Sequence, residues 1–248
     1  MSAESPDHSR HLPIEGTHNF RDVGGYPTAH GGVTRWRTLF RSDSLHALTD
    51  AGRRAVEDLG LVTAIDLRYE RELKALPSAL AGHPRIAYRN KPIGPGTAPF
   101  AEPAETLEEF NVYLLERCQA FGASILRDLA DARAYPALLS CAGGKDRTGL
   151  IVALLLSLAG VPREHVVADY VLSRIDAAQV ANIHELLTAE GHDAKKVGAF
   201  LECRPETMEH TLDHLDRRYG GAEGYVREIG LSEAAVGAIR TALVEPAP

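Results

Sequence analysis

The stretch Ser140-Cys141-Ala142-Gly143-Gly144-Lys145-Asp146-Arg147-Thr148-Gly149 decides how the rest of the chain is interpreted. A short apolar run, Ala137 to Leu139, precedes it and predicts a buried strand. A long apolar run, Leu150 to Ala159, follows and predicts a helix that departs from Thr148. Cys141 is therefore expected in a tight, glycine-rich loop between a strand and a helix.

This loop predicts phosphate capture beside a nucleophilic sulfur. Backbone N–H groups of such a loop can point inward as an anion-binding nest, which the positive end of the following helix reinforces. The same field favours the thiolate form of Cys141, which is the nucleophilic form. Five residues separate Cys141 from Arg147, whose guanidinium can donate two hydrogen bonds to phosphate oxygens. We expect Cys141 to attack phosphorus, forming a phosphocysteine that water hydrolyses, while Arg147 stabilises the transition state.

The remaining loop residues receive supporting roles. The predicted phosphate-binding residues are Ala142, Gly143, Gly144 and Lys145. The Lys145 side chain would place a second cation beside the loop, unless it is a solvated lysine. Thr148 is expected to donate a hydrogen bond to the Cys141 sulfur and ease its departure, unless it only caps the helix.

A general acid must protonate the leaving oxygen, and aspartates are the candidates. Asp146, inside the loop, is the first candidate. Asp66 is the second, because it ends a buried-type strand; alternatively it is a structural carboxylate paired with Arg68 or Arg21. The sequence contains no Trp-Pro-Asp tripeptide of the kind that supplies the acid in many eukaryotic phosphatases.

Other readings of the loop compete with this one. A nucleotide-binding P-loop needs Ser or Thr after its lysine, whereas Asp146 follows Lys145 here. A buried structural cysteine would not need glycines, a lysine and an arginine at these offsets. A rhodanese-like sulfurtransferase also uses a cysteine in a cationic loop, and this alternative stays open.

Composition limits the class of protein. With 248 residues, 44% hydrophobic and 25% charged, the chain suits one soluble α/β domain with a substantial core. A net charge of −7 argues against a nucleic-acid partner. No apolar run approaches the roughly 20 residues of a membrane span, and residues 1–16 lack a signal-peptide core. We expect a cytoplasmic protein, with export by a route without a cleaved signal left open.

No cofactor or metal is expected. The three cysteines, Cys118, Cys141 and Cys203, are too widely separated to make a disulfide framework or a zinc ligand set. His210 and His214 stand at i and i+4, but without the His-Glu-x-x-His arrangement of a zinc protease. The sequence predicts no particular oligomeric state.

The order of elements predicts an α/β layer fold. A helix over Asp50 to Leu59 is followed by a near-continuous apolar strand, Leu61 to Leu67. In such folds the chemistry lies at the carboxyl ends of the strands. We expect a disordered segment over 1–16 and a single domain over 17–248. The polar helical region of about 177–218 is either a helical insertion over the mouth of the site or a set of helices closing the edge of the fold.

Several segments carry a family resemblance across nearly the whole chain. They are Asn19–Gly25, Leu39–Ser42, Ile65–Arg68, Cys141–Gly149, Ala168–Tyr170 and Tyr219–Tyr225. In this order they resemble the bacterial tyrosine phosphatase family 3, a group of tyrosine and lipid phosphatases. The resemblance implies a protein-tyrosine-phosphatase-like α/β core sheet flanked by helices, with helical lid elements.

The same resemblance implies the substrates. They are phosphotyrosine and, for some members, phosphoserine, phosphothreonine or phosphoinositides; Lys145 matches the family feature linked to lipid headgroups, and Asp146 matches the family's loop aspartate. One departure is Ser140, where the family usually has a histidine that orients the loop. We expect a weakened enzyme, and a phosphate-binding pseudo-phosphatase remains an alternative.

Overall fold

The computed structural model describes residues 9–94, 104–173, 184–185, 188 and 193–246. The strands are β1 (Arg21–Asp22), β2 (Gly32–Thr34), β3 (Leu39–Ser42), β4 (Thr63–Asp66), β5 (Ala87–Asn90), β6 (Ala137–Ser140) and β7 (Val244–Pro246). The helices are α1 (Asp50–Asp58), α2 (Glu70–Ala75), α3 (Leu107–Arg117), α4 (Gln119–Leu129), α5 (Asp146–Leu158), α6 (Arg163–Val171), α7 (Ala194–Leu201), α8 (Pro205–Tyr219), α9 (Ala222–Glu228) and α10 (Glu233–Leu243).

The central sheet gathers three strand ends at one edge. Its order is β1-β3-β6-β4-β5, with β1 antiparallel and the other neighbours parallel. Ser140 at the end of β6 is paired with Ser42 of β3 on one side and with Asp66 of β4 on the other. The chain segments that leave these three strands therefore emerge side by side, with the β6 segment between the other two. The expected α/β fold is confirmed.

Helix α5 is the central helix of the larger hydrophobic core. Eleven of its thirteen residues are buried, which explains its apolar character on all faces. It contacts α3, α6, α9 and α10. The opposite face of the sheet is covered by a smaller core that includes Phe20, Phe40, Val56 and Leu138. Because α5 is packed on every side, its N-terminus is held firmly at the end of β6.

Several predicted boundaries are corrected. The helix predicted from Thr148 begins at Asp146. Residues 9–16, expected to be disordered, lie against the fold: Ile14 is buried and the Leu12 N–H donates to the Phe20 carbonyl at 3.0 Å. Residues 1–8 lie outside the described part of the chain.

The region predicted as an insertion, about 177–218, is described in part. Helix α8 packs against α3 and α6, with Met208 and Leu215 buried in the larger core. Helix α7 buries Val197 and Phe200. The rest of the region lies largely outside the described residues, so the lid stays a prediction. In the described part of the chain, no helix has the length and apolar character needed to cross a membrane.

Candidate active site

The loop after β6 is held from outside by its carbonyl groups. Three consecutive carbonyls accept hydrogen bonds from other segments: Ala142 from the Ser44 N–H at 3.1 Å, Gly143 from Asn19 Nδ2 at 2.9 Å and Gly144 from Arg41 Nη2 at 2.7 Å. In a trans peptide the N–H points opposite to the C=O. The N–H groups of Gly143, Gly144 and Lys145 therefore point into the loop, and no described residue accepts a hydrogen bond from them. This is the arrangement of N–H groups that an anion-binding nest requires.

Gly144 makes this loop geometry sterically feasible. Its φ of +65° lies in the left-handed region, which side chains disfavour. A Cβ placed there would come within 2.5 Å of the Asp43 N and of the Ser42 carbonyl carbon. The loop thus approaches the β3 end too closely for any residue but glycine.

Cys141 lies at the base of the nest, directly after β6 and with only 3% of its surface exposed. Arg147 stands in the first turn of α5, near enough to Cys141 for the charge of a thiolate there to raise the pKa of the guanidinium. Burial alone would lower the pKa of Arg147, but hydrogen bonding to Glu72 and the charge of Cys141 raise it. The guanidinium is therefore a permanent cation next to the sulfur.

The partners of Arg147 leave one of its edges open. Glu72 from α2 binds Nη1 at 2.7 Å and Nη2 at 2.9 Å, and the Leu67 carbonyl lies 3.4 Å from Nη1. The guanidinium also stacks over the Tyr69 ring, 4.8 Å from its centroid. No described residue accepts a hydrogen bond from Nε. The edge formed by Nε and Nη2 is the side that can bind a phosphoryl group.

Thr148 is fully buried, and its hydroxyl has no hydrogen-bond partner among the described residues. The predicted bond to the Cys141 sulfur is therefore not formed here. The hydroxyl is nonetheless an unsatisfied polar group in the first turn of α5, beside the loop. Such a group is costly to bury without a partner.

The Lys145 side chain differs from the sequence-based expectation. It is buried, and its ammonium donates to the Phe200 carbonyl at 2.7 Å and to the Glu202 carbonyl at 2.5 Å. It is not a solvated lysine, and it contacts the end of α7 rather than the centre of the loop. Its backbone N–H, in contrast, belongs to the nest.

The two aspartate candidates occupy different environments. Asp146 is one-fifth exposed, and its Oδ1 accepts a hydrogen bond from the Tyr170 hydroxyl at 3.1 Å. Asp66 is buried, and its Oδ2 accepts from Arg68 Nη2 at 2.8 Å and from the Tyr88 hydroxyl at 3.0 Å. Asp66 thus forms the ion pair with Arg68 that the sequence offered as an alternative.

A buried network of charged side chains stabilises the loop. Arg41, fully buried, donates to the Gly144 carbonyl and forms an ion pair with Asp169 of α6. Arg21 also reaches Asp169, 3.5 Å from Oδ1, and donates to the Ser173 hydroxyl at 2.8 Å. Burial alone would raise the pKa of Asp169, but the charges of Arg41 and Arg21 hold it below its ordinary value.

Sequence reasoning gave no site role to Glu72, and Tyr170 entered it only as part of the family segment Ala168–Tyr170. Glu72 carried one local signal, its position in the first turn of a helix, where its carboxylate accepts from the Tyr69 N–H at 2.8 Å. Nothing local connected it to Arg147.

A cysteine inside a ring of inward N–H groups, with an arginine edge open beside it, defines the class of cysteine-dependent phosphatases. The profile of the tyrosine phosphatase family matches residues 12–245. The chain belongs to that family. Its activity is the hydrolysis of phosphotyrosine through a cysteine nucleophile.

Two relatives more than 30% identical in sequence agree with this membership. The chain is 31% identical to the triple specificity protein phosphatase PtpB of Mycobacterium tuberculosis, over 95% of this chain and 99% of that protein. It is 32% identical to a tyrosine-protein phosphatase of Nostoc commune, over 82% and 73% of the two chains. The structure of P. aeruginosa TpbA is similar at 18% identity and a TM-score of 0.37, covering 71% of this chain and 93% of that one.

Proposed function

We propose that Cys141 is the nucleophile of this tyrosine phosphatase, Arg147 its transition-state cation and Asp146 its general acid. The observation that carries the proposal is the direction of the loop peptides. The N–H groups of Gly143, Gly144 and Lys145 point to the inside of the loop, and Arg147, three residues further along in the first turn of α5, keeps the edge formed by Nε and Nη2 without a described acceptor on Nε. Three phosphoryl oxygens can be bound there while the sulfur attacks phosphorus in line.

Asp146 is favoured over Asp66 because of what each carboxylate already binds. Asp66 lies in a buried ion pair, in which its Oδ2 already accepts hydrogen bonds from the Arg68 guanidinium and the Tyr88 hydroxyl. An acid catalyst must instead carry a proton to the leaving oxygen. Asp146 begins α5 next to Arg147. Its Oδ1 accepts from the Tyr170 hydroxyl and lies 3.5 Å from the Lys145 ammonium, but no described residue donates to its Oδ2.

Ser140 does not remove the loop geometry that the family histidine would support. The backbone of Ser140 is fixed by pairing with both neighbouring strands, and its carbonyl accepts from the Leu67 N–H at 2.8 Å. The loop carbonyls are held by Asn19, Arg41 and Ser44. These contacts favour an active enzyme over a phosphate-binding pseudo-phosphatase, and neither they nor the family favour a sulfurtransferase.

Acceptance of phosphoserine, phosphothreonine or phosphoinositides is a further part of the proposal. It is supported by the triple specificity of the relative from M. tuberculosis, in the words of its name. A phosphoinositide headgroup would require Lys145 to exchange its carbonyl partners for phosphate. We also propose a cytoplasmic location, since Cys118, Cys141 and Cys203 are free thiols and a nucleophilic thiolate oxidises readily.

The replacement Cys141→Ser tests the nucleophile. Turnover of p-nitrophenyl phosphate should fall to background, while orthovanadate or phosphate still binds, because the N–H nest and Arg147 remain. Cys203→Ser is the matched control, a half-buried cysteine whose sulfur contacts the Tyr170 carbonyl at 3.4 Å, and it should keep turnover. Full turnover by Cys141→Ser would contradict the assignment. A panel of phosphopeptides and phosphoinositides then defines the range of substrates.

A further inference from the structure

Tyr170 lies against the loop without being one of the residues that bind phosphate. It stands in α6, its ring is almost fully buried, and its hydroxyl donates to Asp146 Oδ1 at 3.1 Å. Burial and the charge of Asp146 raise the pKa of Tyr170 well above its ordinary value. The hydroxyl therefore keeps its proton, and so remains a donor, over the whole range in which the enzyme can work.

The position of the Tyr170 ring is fixed from two sides. Its neighbour Asp169 is held in the buried network with Arg41 and Arg21, which anchors this turn of α6 to the loop. On the other side lies Gly149 in the first turns of α5. A Cβ at Gly149 would come 3.0 Å from the Tyr170 ring, tighter than ordinary contact. The glycine thus lets the ring approach α5 closely enough for the hydroxyl to reach Asp146.

This contact distinguishes the two oxygens of Asp146. Oδ1 accepts from Tyr170 and lies 3.5 Å from the Lys145 ammonium, whereas no described residue donates to Oδ2. In a carboxylic acid, the oxygen that accepts hydrogen bonds is the carbonyl oxygen, and the other one carries the proton. Oδ2 is then the oxygen that delivers the proton to the leaving group.

We propose that Tyr170 is a positioning residue for the general acid: its hydroxyl fixes the orientation of the Asp146 carboxyl group and leaves Oδ2 to protonate the leaving oxygen. The inference rests on the proposed acid role of Asp146. In the chemical step, the Cys141 sulfur forms a bond to phosphorus, the P–O bond to the leaving group breaks, and the proton on Oδ2 passes to that oxygen. Tyr170 keeps its proton and forms no covalent bond in this step.

The test is Tyr170→Phe, measured on two substrates that differ in their need for an acid. Phenyl phosphate has a poor leaving group and depends on protonation, whereas p-nitrophenyl phosphate has a good one and depends on it little. We expect kcat for phenyl phosphate to fall about 10-fold, the equivalent of one lost hydrogen bond. For p-nitrophenyl phosphate we expect a fall below about 2-fold.

Two controls separate positioning from general damage. Tyr225→Phe removes another buried hydroxyl, which donates to the Leu115 carbonyl at 3.1 Å. It should leave unchanged the ratio of kcat for phenyl phosphate to kcat for p-nitrophenyl phosphate. In an Asp146→Asn background, Tyr170→Phe should cause no further change in that ratio. Gly149→Ala keeps the hydroxyl, but its Cβ would come 3.0 Å from the Tyr170 ring and 3.3 Å from Arg41 Nη2. If Tyr170→Phe does not fold, this variant replaces it: a fall in kcat for phenyl phosphate with kcat for p-nitrophenyl phosphate retained supports the inference, and equal loss on both substrates overturns it.

Other results would overturn the inference. Equal loss on both substrates in Tyr170→Phe would show a purely structural role, even if Asp146→Asn alone discriminates between leaving groups. If Asp146→Asn alone does not discriminate, the acid assignment fails and the role of Tyr170 fails with it. Activity that still depends on Cys141 would leave the nucleophile assignment standing in either case.

Discussion

Glu72 and Arg147 form a two-pronged ion pair, in which the carboxylate oxygens lie 2.7 Å from Nη1 and 2.9 Å from Nη2 of the guanidinium. A planar guanidinium offers two such edges. Glu72 binds the one formed by Nη1 and Nη2, and the other is formed by Nε and Nη2. The ion pair therefore does not compete with phosphate for the other edge. It holds the arginine plane in place, so that Nε and Nη2 are aimed before substrate arrives.

Glu72→Gln should lower kcat more than it changes KM. The amide keeps one acceptor but loses the charge, so that the guanidinium is held less firmly when transition-state charge develops. We expect kcat for p-nitrophenyl phosphate to fall about 10-fold, with KM within about 3-fold, since one charge-assisted hydrogen bond is worth roughly 1.5–3 kcal/mol. Steady-state kinetics at neutral pH measures both.

Glu70→Gln is the matched control for this change, because Glu70 lies in the same helix and its ion pair among the described residues is the exposed one with Lys74. It should leave kcat and KM unaltered. If Glu72→Gln instead tightened phosphate binding and left kcat intact, Glu72 would be a competitor of the substrate and the positioning role would be rejected.

The same ion pair predicts a pH dependence of stability. Burial alone would raise the pKa of Glu72, but hydrogen bonding to Arg147, its charge and the Tyr69 N–H lower it below the ordinary value of 4.5. A carboxylate with a lower pKa in the folded state stabilises the protein above its unfolded pKa, and this contribution is lost as the pH falls through the folded value. The stability gap between wild type and Glu72→Gln should be constant above about pH 5.5 and should shrink below about pH 4.5.

Urea unfolding of both proteins at pH 7, 5.5 and 4 measures this gap directly. The other carboxylates titrate equally in the two proteins, so their contributions to the free energy of unfolding cancel in the difference. A gap that widens on acidification would mean that the pKa of Glu72 is raised rather than lowered on folding, and the ion pair would then not persist in solution.

The parts of this protein that could be predicted from sequence are those fixed by local pattern. The apolar runs gave strand β6 and helix α5, and the glycines between them gave the loop, because turn geometry and burial depend on neighbouring residues. The pairing of Asp66 with Arg68 could be predicted for the same reason, because the two residues are only two positions apart. The start of α5 was placed two residues late, since Asp146 and Arg147 lack the apolar character used to detect the helix.

The parts that could not be predicted are contacts between distant segments. Glu72 and Arg147 are 75 residues apart, and Arg41 and Asp169 are 128 apart. Each residue alone resembles an ordinary surface charge, and only the topology brings the partners together. The Lys145 side chain was interpreted as a phosphate ligand because its loop position allowed it, whereas its observed partners lie at the end of α7, more than fifty residues away.

Asp169→Asn should destabilise the protein strongly. Asp169 is the carboxylate that lies between two buried guanidiniums, those of Arg21 and Arg41, and its removal leaves both without an anionic partner there. Removing one partner of a buried ion pair costs about 3–5 kcal/mol. At about 2–4 °C per kcal/mol for a domain of this size, Tm should fall by roughly 6–20 °C.

Asp213→Asn is the control for the loss of a paired aspartate. Asp213 binds Arg163 at 2.5 Å, but both side chains are largely exposed, so its loss should cost less than about 1 kcal/mol. Thermal unfolding of the two variants gives the comparison. Equal Tm values would show that the buried network contributes no more than an exposed pair.

Gly144→Ala should abolish phosphate binding and turnover through steric displacement of the loop. The new Cβ would lie 2.5 Å from backbone atoms of Ser42 and Asp43, and these cannot move without disturbing β3. Gly60→Ala is the matched control: Gly60 has a similar φ of +70°, but a Cβ there meets nothing within 4 Å. It should cost only about 1–2 kcal/mol of left-handed strain and leave kcat unchanged.

Binding of orthovanadate, followed by calorimetry, separates the two glycine variants. Gly144→Ala should show no binding while its circular dichroism stays native, because the clash is confined to the loop and the end of β3. Native affinity in Gly144→Ala would mean that the nest does not require the close approach seen here.

Lys145→Met tests whether the buried Lys145 ammonium binds the substrate or stabilises the contact between the loop and α7. Its hydrogen bonds to the Phe200 and Glu202 carbonyls connect the loop to the end of α7. Methionine keeps the length and apolar stem of the side chain but cannot donate, so the end of α7 should open more often. We expect amide hydrogen exchange over 194–203 to accelerate about 10-fold, the effect of a weakening near 1.4 kcal/mol, with KM for p-nitrophenyl phosphate within about 3-fold. The control for the lost charge is Lys196→Met. This variant removes a lysine of α7 that binds Glu105 and not the loop. A KM increase above about 10-fold with unaltered exchange would restore the sequence-based role of Lys145 as a phosphate ligand, because only direct contact with the substrate weakens its binding while α7 stays closed.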